Sequence, residues 1–150
     1  MNITSDTENY ELLNKLSKFN DFKTSFMMSQ SIEKEENYVM YILINSSLKM
    51  GKGKIAAQVG HGVHKITQYC LKNEKELWIK YIKNKCPKII LKTKSQEELL
   101  NILNNTQNYF KSYVIDEGRT QIPKNSLTVI CYKPILKENV PNDFKILKLL

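Results

Sequence analysis

The spacing of hydrophobic and polar positions divides most of the chain into strands and helices. Residues 38–44 (YVMYILI) are continuously apolar and β-rich, which is typical of a strand buried on both faces. Shorter apolar runs predict further strands at 88–92, 112–116 and 127–132. The tail, 144–150, is interpreted as a last extended segment.

Apolar residues at helical spacing predict a first helix over about residues 53–72. Its apolar face would carry Ile55, Val59, Val63, Ile66 and Cys70. A second face would carry Lys54, Gln58, His61, Lys65 and Lys72. A helix with one face of each kind is expected to cover the sheet with its apolar side.

Two more helices complete the predicted order. One spans about 74–83, and the other begins at the capping-box pattern Ser95-x-x-Glu98 and continues to about residue 109. The order strand, helix, helix, strand, helix, strand, strand, tail is typical of an α/β sandwich with a mixed sheet. The hairpin-like pair at 112–132 would supply its antiparallel part.

Length and charge suggest one basic domain with an acidic extension. A chain of 150 residues holds one domain with a proper core. Residues 1–36 carry four Lys against seven acids, whereas residues 37–150 carry nineteen Lys or Arg against eight, a net charge of +11. A short helix is expected within the extension, from Leu12, Leu13, Leu16 and Phe19. The basic body favours a polyanionic partner, and a solvated Lys-rich surface is the alternative.

Several classes of protein are excluded by composition. Cys70, Cys86 and Cys131 form no CxxC pair, so neither a disulfide framework nor a zinc site is predicted. No apolar run is long enough to span a bilayer, and the acidic N-terminus is not a signal peptide. We therefore expect a cytoplasmic protein with no membrane partner.

The first candidate site is the turn Gly51-Lys52-Gly53-Lys54 before the long helix. Its glycines let the backbone approach a ligand, and the helix start offers free N–H groups to an anion. A tight turn with solvated lysines is the alternative. The pattern G-x-G-x-x-A also fits a dinucleotide fingerprint, but the expected acid after a second strand is missing. Nicotinamide binding is therefore not predicted.

The second candidate site is the loop after the third predicted strand. Asp116 is followed by Gly118, Arg119 and Thr120, and Thr128 lies just inside the next strand. A carboxylate at a strand end can orient or deprotonate water. A loop held by an Asx turn and an Asp116–Arg119 ion pair is the alternative. His61 and His64 lack a third ligand, so no metal is predicted.

Three stretches together resemble the type II peptidyl-tRNA hydrolases of archaea and eukaryotes. They are residues 48–61 (LKMGKGKIAAQVGH), 86–99 (CPKIILKTKSQEEL) and 116–123 (DEGRTQIP). The closing LKLL is similar to the family's usual ending. The resemblance covers about residues 38–150, with the acidic extension, 1–36, outside it.

The resemblance implies an enzyme that hydrolyses the ester between peptide and tRNA, recycling tRNA without metal or organic cofactor. It implies a three-layer α/β sandwich around a four-stranded mixed sheet, and a homodimer. The family's catalytic residues correspond to Lys52, Asp116, Thr120 and Thr128. Substrate contacts are expected from Gly53, Lys54, Gln58, His61, Lys65, Gly118 and Arg119. In this hypothesis Asp116 activates water, the two threonines fix it, and Lys52 stabilises the oxyanion.

The chain departs from the family pattern at four positions in or near these motifs. Asn45 and Ser47 stand where the family usually has an Arg and an acid, and Glu117 replaces a small residue. Gly62 also stands where Ala is frequent. A non-catalytic adaptor that binds RNA or a protein with the same fold is therefore the alternative function.

Overall fold

The computed structural model describes residues 14, 15, 18, 36–119 and 122–150. The chain divides into two units, Met1–Glu35 and Glu36–Leu150, and the account below concerns the second. In the first unit, residues 14, 15 and 18 are helical and exposed. The apolar residues of the helix predicted there, Leu12, Leu13, Leu16 and Phe19, lie outside the described residues.

The second unit alternates strands and helices in the predicted order. Its strands are β1 (Tyr38–Asn45), β2 (Lys88–Thr93), β3 (Lys111–Ile115), β4 (Leu127–Tyr132), β5 (Ile135–Leu136) and β6 (Lys148–Leu149). Its α-helices are α1 (Lys52–Asn73), α2 (Lys75–Lys83), α3 (Gln96–Asn105) and α4 (Asn142–Lys145), and short 3₁₀ helices occupy Ser46–Leu48 and Lys137–Asn139.

The described strands form a mixed sheet with the order β3-β4-β1-β2-β6, and β5 pairs with the start of β1. Strands β1 and β2 are parallel, and the other pairs are antiparallel. The expected count of four strands is wrong, because two-residue strands extend the sheet to six. Segments of two residues are too short to show a periodic pattern in sequence.

The sheet is the middle layer of three, as expected. One face packs against α1 and α2 through a core that includes Met40, Ile42, Ile44, Ile66 and Tyr81. The other face packs against α3 and the C-terminal segment through Tyr41, Leu43, Leu99, Ile102 and Phe144. No helix in the described part of the chain is long and apolar enough to cross a membrane.

The N-terminus of α3 shows the expected capping. The Glu98 backbone N–H donates to Ser95 Oγ at 3.1 Å. The Glu98 carboxylate accepts a hydrogen bond of 2.6 Å from the backbone N–H of Lys94 rather than from that of the N-cap residue. The predicted start of α3 is therefore confirmed, with the reciprocal bond displaced by one residue.

Helix α1 is rotated relative to the expected orientation of its apolar face. Its buried residues are Gln58, Gly62, Ile66 and Cys70, one stripe at a spacing of four. Ile55, Val59 and Val63 are only partly buried. Gly62 explains the rotation, since a Cβ atom there would lie 2.4 Å from Cys131 Sγ and 3.4 Å from Val114 Cγ2. The missing side chain brings α1 close to β3 and β4.

We expect Gly62→Ala to destabilise the fold by about 1–3 kcal/mol, because the added methyl group overpacks the contact with Cys131. The double variant Gly62→Ala/Cys131→Ala removes the clashing sulfur, so it should be more stable than the two single effects predict. Urea unfolding of the wild type and the three variants measures this coupling. Strictly additive effects would contradict the packing explanation for the departure at Gly62.

Candidate active site

Both predicted motifs lie at one edge of the sheet. Strand β3 runs in the same direction as β1 and β2, since β4 is antiparallel to both β1 and β3. The carboxyl ends of β1, β2 and β3 therefore meet at this edge, where α1 also begins. The topology brings residues 49–54, the turn and the first residues of α1, to the same edge as the loop after β3.

Asp116 and Lys54 form the contact that joins the two motifs. Asp116 is 4% exposed, and its Oδ2 lies 2.7 Å from Lys54 Nζ. The Lys54 side chain is 24% exposed, so the pair sits at the boundary between core and solvent. A buried carboxylate is tolerated only where a cation or hydrogen-bond donors compensate its charge.

The loop after β3 fixes the orientation of Asp116. Its Oδ1 accepts the backbone N–H of Gly118 at 3.1 Å, which is the Asx turn that the sequence left open as part of the alternative. The Asp116 N–H donates to Ser126 O at 2.9 Å, and Asp116 O accepts from Asn125 N at 2.8 Å. The loop thus fixes the backbone of Asp116 through Ser126 and Asn125, and the Gly118 N–H orients its carboxylate.

Gly118 is required by both backbone conformation and space. Its φ of +76° is in the left-handed region that favours glycine, and an added Cβ would lie 2.7 Å from Lys124 Cβ. Because the Gly118 N–H also donates to Asp116, this residue positions the carboxylate. A direct contact with substrate stays a prediction.

Thr128 lies at an irregularity between β3 and β4. Val114 pairs with Val129 and Ile115 pairs with Leu127, so Thr128 has no partner of its own in the ladder. Its fully buried side chain donates from Oγ1 to Val114 O at 2.8 Å. Such β-bulges frequently re-aim side chains beside active sites. This hydroxyl stabilises the strand end that carries Asp116.

Asn45 and Ser47, at the positions where the resemblance implies an Arg and an acid, form a local polar cluster. Asn45 is fully buried, and its Nδ2 donates to Leu127 O at 3.1 Å. Its Oδ1 accepts from Ser47 Oγ at 2.6 Å and from Ser47 N at 3.3 Å. The cluster ties the end of β1 to the start of β4. Sequence reasoning noted these positions as departures and missed this bond, because its partner is 82 residues away.

The N-terminus of α1 is open and lacks a side-chain cap. Gly51 is the N-cap residue and provides no side-chain hydrogen bond. The first intrahelical bond runs from Ile55 N to Gly51 O, so the N–H groups of Lys52, Gly53 and Lys54 have no partner within the helix. A Cβ atom added at Gly51 or Gly53 would meet nothing within 4 Å. This end can accept an anion.

The remaining residues expected to contact substrate are spread over α1 and the loop. Gln58 is buried at 5% exposure, whereas His61 and His64 are exposed. Lys65 Nζ donates to Tyr113 O at 2.8 Å. Thr120, the second expected threonine, lies outside the described residues.

The acidic neighbour of Asp116 has its own cation. Arg119 Nη2 lies 2.8 Å from Glu117 Oε2, and both side chains are mostly exposed. The Asp116–Arg119 pair that the sequence left open as an alternative is therefore replaced by two others, Glu117 with Arg119 and Asp116 with Lys54. The Glu117 carboxylate therefore forms its ion pair with Arg119 at the exposed surface of the loop.

The buried cysteines of the core are poor nucleophiles. Burial raises the pKa of Cys70 to about 11, with Glu74 contributing, and burial raises that of Cys131 to about 12. Both thiols are therefore protonated at neutral pH, and a thiol nucleophile is reactive only as the thiolate. Among the described residues, no three His, Cys, Asp or Glu side chains are grouped to hold a metal ion.

The chain is an α/β protein in which a buried carboxylate, Asp116, is paired with Lys54 at an uncapped helix start. The family model described as "Peptidyl-tRNA hydrolase PTH2" matches residues 38–150. Because this match covers most of the chain, the protein belongs to the peptidyl-tRNA hydrolase PTH2 family.

Curated relatives from archaea and eukaryotes show the same similarity. The chain is 39% identical over 118 residues to "Peptidyl-tRNA hydrolase" of Sulfolobus acidocaldarius, covering 74% of this chain and 98% of the relative. It is 35% identical over 117 residues to "Probable peptidyl-tRNA hydrolase 2" of Drosophila melanogaster and 40% over 110 residues to that of Dictyostelium discoideum. These matches cover 77% and 72% of this chain, but only 63% and 52% of the two eukaryotic proteins.

Proposed function

We propose that this protein hydrolyses the ester bond between peptide and tRNA in peptidyl-tRNA. The observation that carries the proposal is the 2.7 Å contact between Lys54 and the buried Asp116 at the open start of α1. Membership of the family supports the substrate class. The net charge of +11 over residues 37–150 suits an RNA substrate, because lysines replace the counterions of phosphates.

In the proposed mechanism, Asp116 is the general base. An ionised carboxylate has about four acceptor positions, so Asp116 can accept a proton from water while bonded to Gly118 and Lys54. The water oxygen attacks the ester carbonyl carbon and gives its proton to Asp116. The C–O bond to the ribose then breaks, and the ribose oxygen takes that proton. The products are a free peptide carboxyl and a tRNA hydroxyl.

Lys54 is proposed to stabilise the oxyanion of the tetrahedral intermediate, together with N–H groups at the start of α1. It already contacts Asp116, and a donor preorganised beside the reacting group acts without further rearrangement. Lys52, to which the resemblance assigned this role, is the first residue of α1 and is exposed. We propose that Lys52 contacts a phosphate of the terminal nucleotide.

The other residues of the expected site are proposed to position Asp116 and the substrate. Thr128 stabilises the strand end through Val114 O, and Thr120 is proposed to orient the attacking water. Gln58, His61, Lys65 and Arg119 are proposed to contact the tRNA end or the peptide. Of these, His61, Lys65 and Arg119 are exposed, whereas Gln58 is buried.

The decisive test is release of N-acyl amino acid from N-acyl-aminoacyl-tRNA by the purified chain of 150 residues. Turnover without added metal or cofactor is expected. If the protein binds the tRNA and never cleaves it, the proposal fails and the adaptor function replaces it. Reverting Asn45, Ser47 and Glu117 to the family's usual residues would then show whether these departures removed the activity.

Residues 37–150 are proposed to be the hydrolase domain and residues 1–36 an acidic extension outside the catalytic machinery. We further propose a cytoplasmic location and a homodimer, both on the resemblance to the family. On the sheet, Tyr113 and Ile115 of edge strand β3 are exposed, which is compatible with a second copy at that edge.

A matched pair of glycine substitutions probes the open space at the start of α1. Both Gly53 and Gly60 lie in α1, and a Cβ at either meets no atom within 4 Å. We expect Gly53→Ala and Gly60→Ala each to leave stability unchanged or raise it by up to about 1 kcal/mol. Only Gly53→Ala should reduce kcat/KM, by roughly 10- to 100-fold, because its methyl group enters the space assigned to the oxyanion.

Steady-state hydrolysis and thermal unfolding of both glycine variants measure these effects. Equal activity of the two variants would show that the oxyanion does not lie against Gly53. A loss shared by both would point to helix geometry instead.

A further inference from the structure

Two lysines face each other across the ladder between β2 and β6. Lys92 pairs with Lys148 in an antiparallel register, and both side chains are exposed. Directly opposite residues of an antiparallel pair point to the same side of the sheet, with Cβ atoms about 5 Å apart. Neither lysine has an ion-pair partner within the described part of the chain. Like charges directly opposite each other destabilise a sheet, so the presence of both lysines is not explained by the stability of the fold.

The neighbouring lysine on the same face is engaged differently. Lys88 lies four positions before Lys92 on β2. Its Nζ donates to Cys86 O at 2.9 Å and sits 5.5 Å from the centre of the Tyr81 ring. Lys88 is therefore used within the fold. Lys92 and Lys148 are exposed and lie toward the end of the sheet where the proposed active site is located.

The strand register places Lys92 and Lys148 in the same row of paired residues as Val114, which lies two residues before Asp116. Lys92 is opposite Ile44, Ile44 is opposite Val129, and Val129 is opposite Val114. Ile44, Val129 and Val114 all belong to the core under α1, so Lys92 and Lys148 point to the α1 side of the sheet. Adjacent strands are about 4.8 Å apart, which places Lys92 about 14 Å and Lys148 about 19 Å from Val114.

We propose that Lys92 and Lys148 form a phosphate-binding site for the tRNA strand whose end is cleaved. The inference rests on the proposed function, since it takes the ester to be at Asp116, two residues after Val114. A stacked strand advances about 3.4 Å per nucleotide, so the pair would meet backbone phosphates roughly four to six nucleotides from the ester. An anion between the two ammonium groups removes their repulsion and contacts no base, so it gives affinity without sequence preference.

The test compares Lys92→Gln/Lys148→Gln with the wild type on two substrates. For full-length N-acyl-aminoacyl-tRNA we expect KM to rise by about 2- to 30-fold, the effect of losing two exposed ion pairs, with kcat unchanged. For the same ester on a single 3′-terminal adenosine, which is too short to reach the pair, we expect both constants to be unchanged. The slope of log affinity for tRNA against log salt should fall in magnitude by about 1.4–1.8.

Two further variants separate binding from structure. Lys72→Gln/Lys75→Gln removes two exposed charges where α1 ends, about 30 Å along that helix from Lys52, and should leave KM and the salt slope unchanged. Lys92→Arg/Lys148→Arg retains both charges and should bind tRNA as the wild type does. Because the native pair is repulsive, Lys92→Gln/Lys148→Gln should be at least as stable as the wild type in thermal unfolding.

The proposal is overturned if the Lys92/Lys148 and Lys72/Lys75 double variants have the same tRNA affinity and salt slope. It is also overturned if Lys92→Gln/Lys148→Gln slows hydrolysis of the adenosine ester, since the effect would then act through the fold. Equilibrium binding of deacylated tRNA keeps this test independent of turnover. The wild type could bind tRNA, and differ from Lys92→Gln/Lys148→Gln in salt slope as expected, while cleaving nothing. That result would support the phosphate site and reject the hydrolase activity.

Discussion

Asp116→Asn is expected to reduce kcat for peptidyl-tRNA hydrolysis by about 10²–10⁴, the usual contribution of a general base. Asparagine has nearly the same shape and can still accept the Gly118 N–H that now binds Oδ1 at 3.1 Å. It cannot accept a proton from water, and it removes the charge that Lys54 contacts at 2.7 Å. The fold should therefore persist while chemistry is lost, which hydrolysis under saturating substrate measures directly.

Glu117→Gln is the matched control for Asp116→Asn. It removes a carboxylate from the next residue, but this one is exposed and paired with Arg119 in solvent. We expect its kcat to stay within about threefold of the wild type, since surface ion pairs contribute little. Near-normal turnover by folded Asp116→Asn, or an equal loss in both variants, would remove Asp116 from the chemistry.

The layers of the fold were predictable because the core imposes strong periodicity on the sequence. Residues 38–44 are apolar throughout, and β1 is indeed central, with β4 and β2 on either side. The rotation of α1 was not predictable, because it depends on the contact between Gly62 and Cys131, 69 residues apart in sequence. For the same reason the sequence pattern places Gln58 on the polar face of α1, although the structure buries it.

The site was predictable in its residue types and less so in its pairing. Asp116 and the lysine-rich turn stand out by position in the sequence, at a strand end and a helix start. Which lysine meets Asp116 depends on the angle at which α1 leaves the sheet, and no local pattern encodes that angle. Likewise the bulge at Thr128 results from a register shift between β3 and β4, which appears only when the strands are paired.

Lys54→Ala and Lys52→Ala should separate the two lysines of the turn. Residues two apart on a helix differ by about 200° around its axis, so both cannot face Asp116 equally. Since Lys54 makes that contact, we expect Lys54→Ala to lower kcat by about 10²–10³, the loss typical of a preorganised oxyanion donor. Lys52→Ala should mainly raise KM, by a few-fold as for an exposed phosphate contact.

Lys54→Arg is the control that separates a loss of kcat in Lys54→Ala from a loss of stability. Removing Lys54 leaves a 4% exposed carboxylate with one fewer partner, so Lys54→Ala is expected to lower the thermal stability as well. Arginine restores the charge and thus the stability, but its planar guanidinium cannot replace the compact ammonium at the same point. A stable Lys54→Arg variant that is still slow would place Lys54 in the chemistry. A larger loss of kcat in Lys52→Ala than in Lys54→Ala would return the oxyanion role to Lys52, as the family resemblance first suggested.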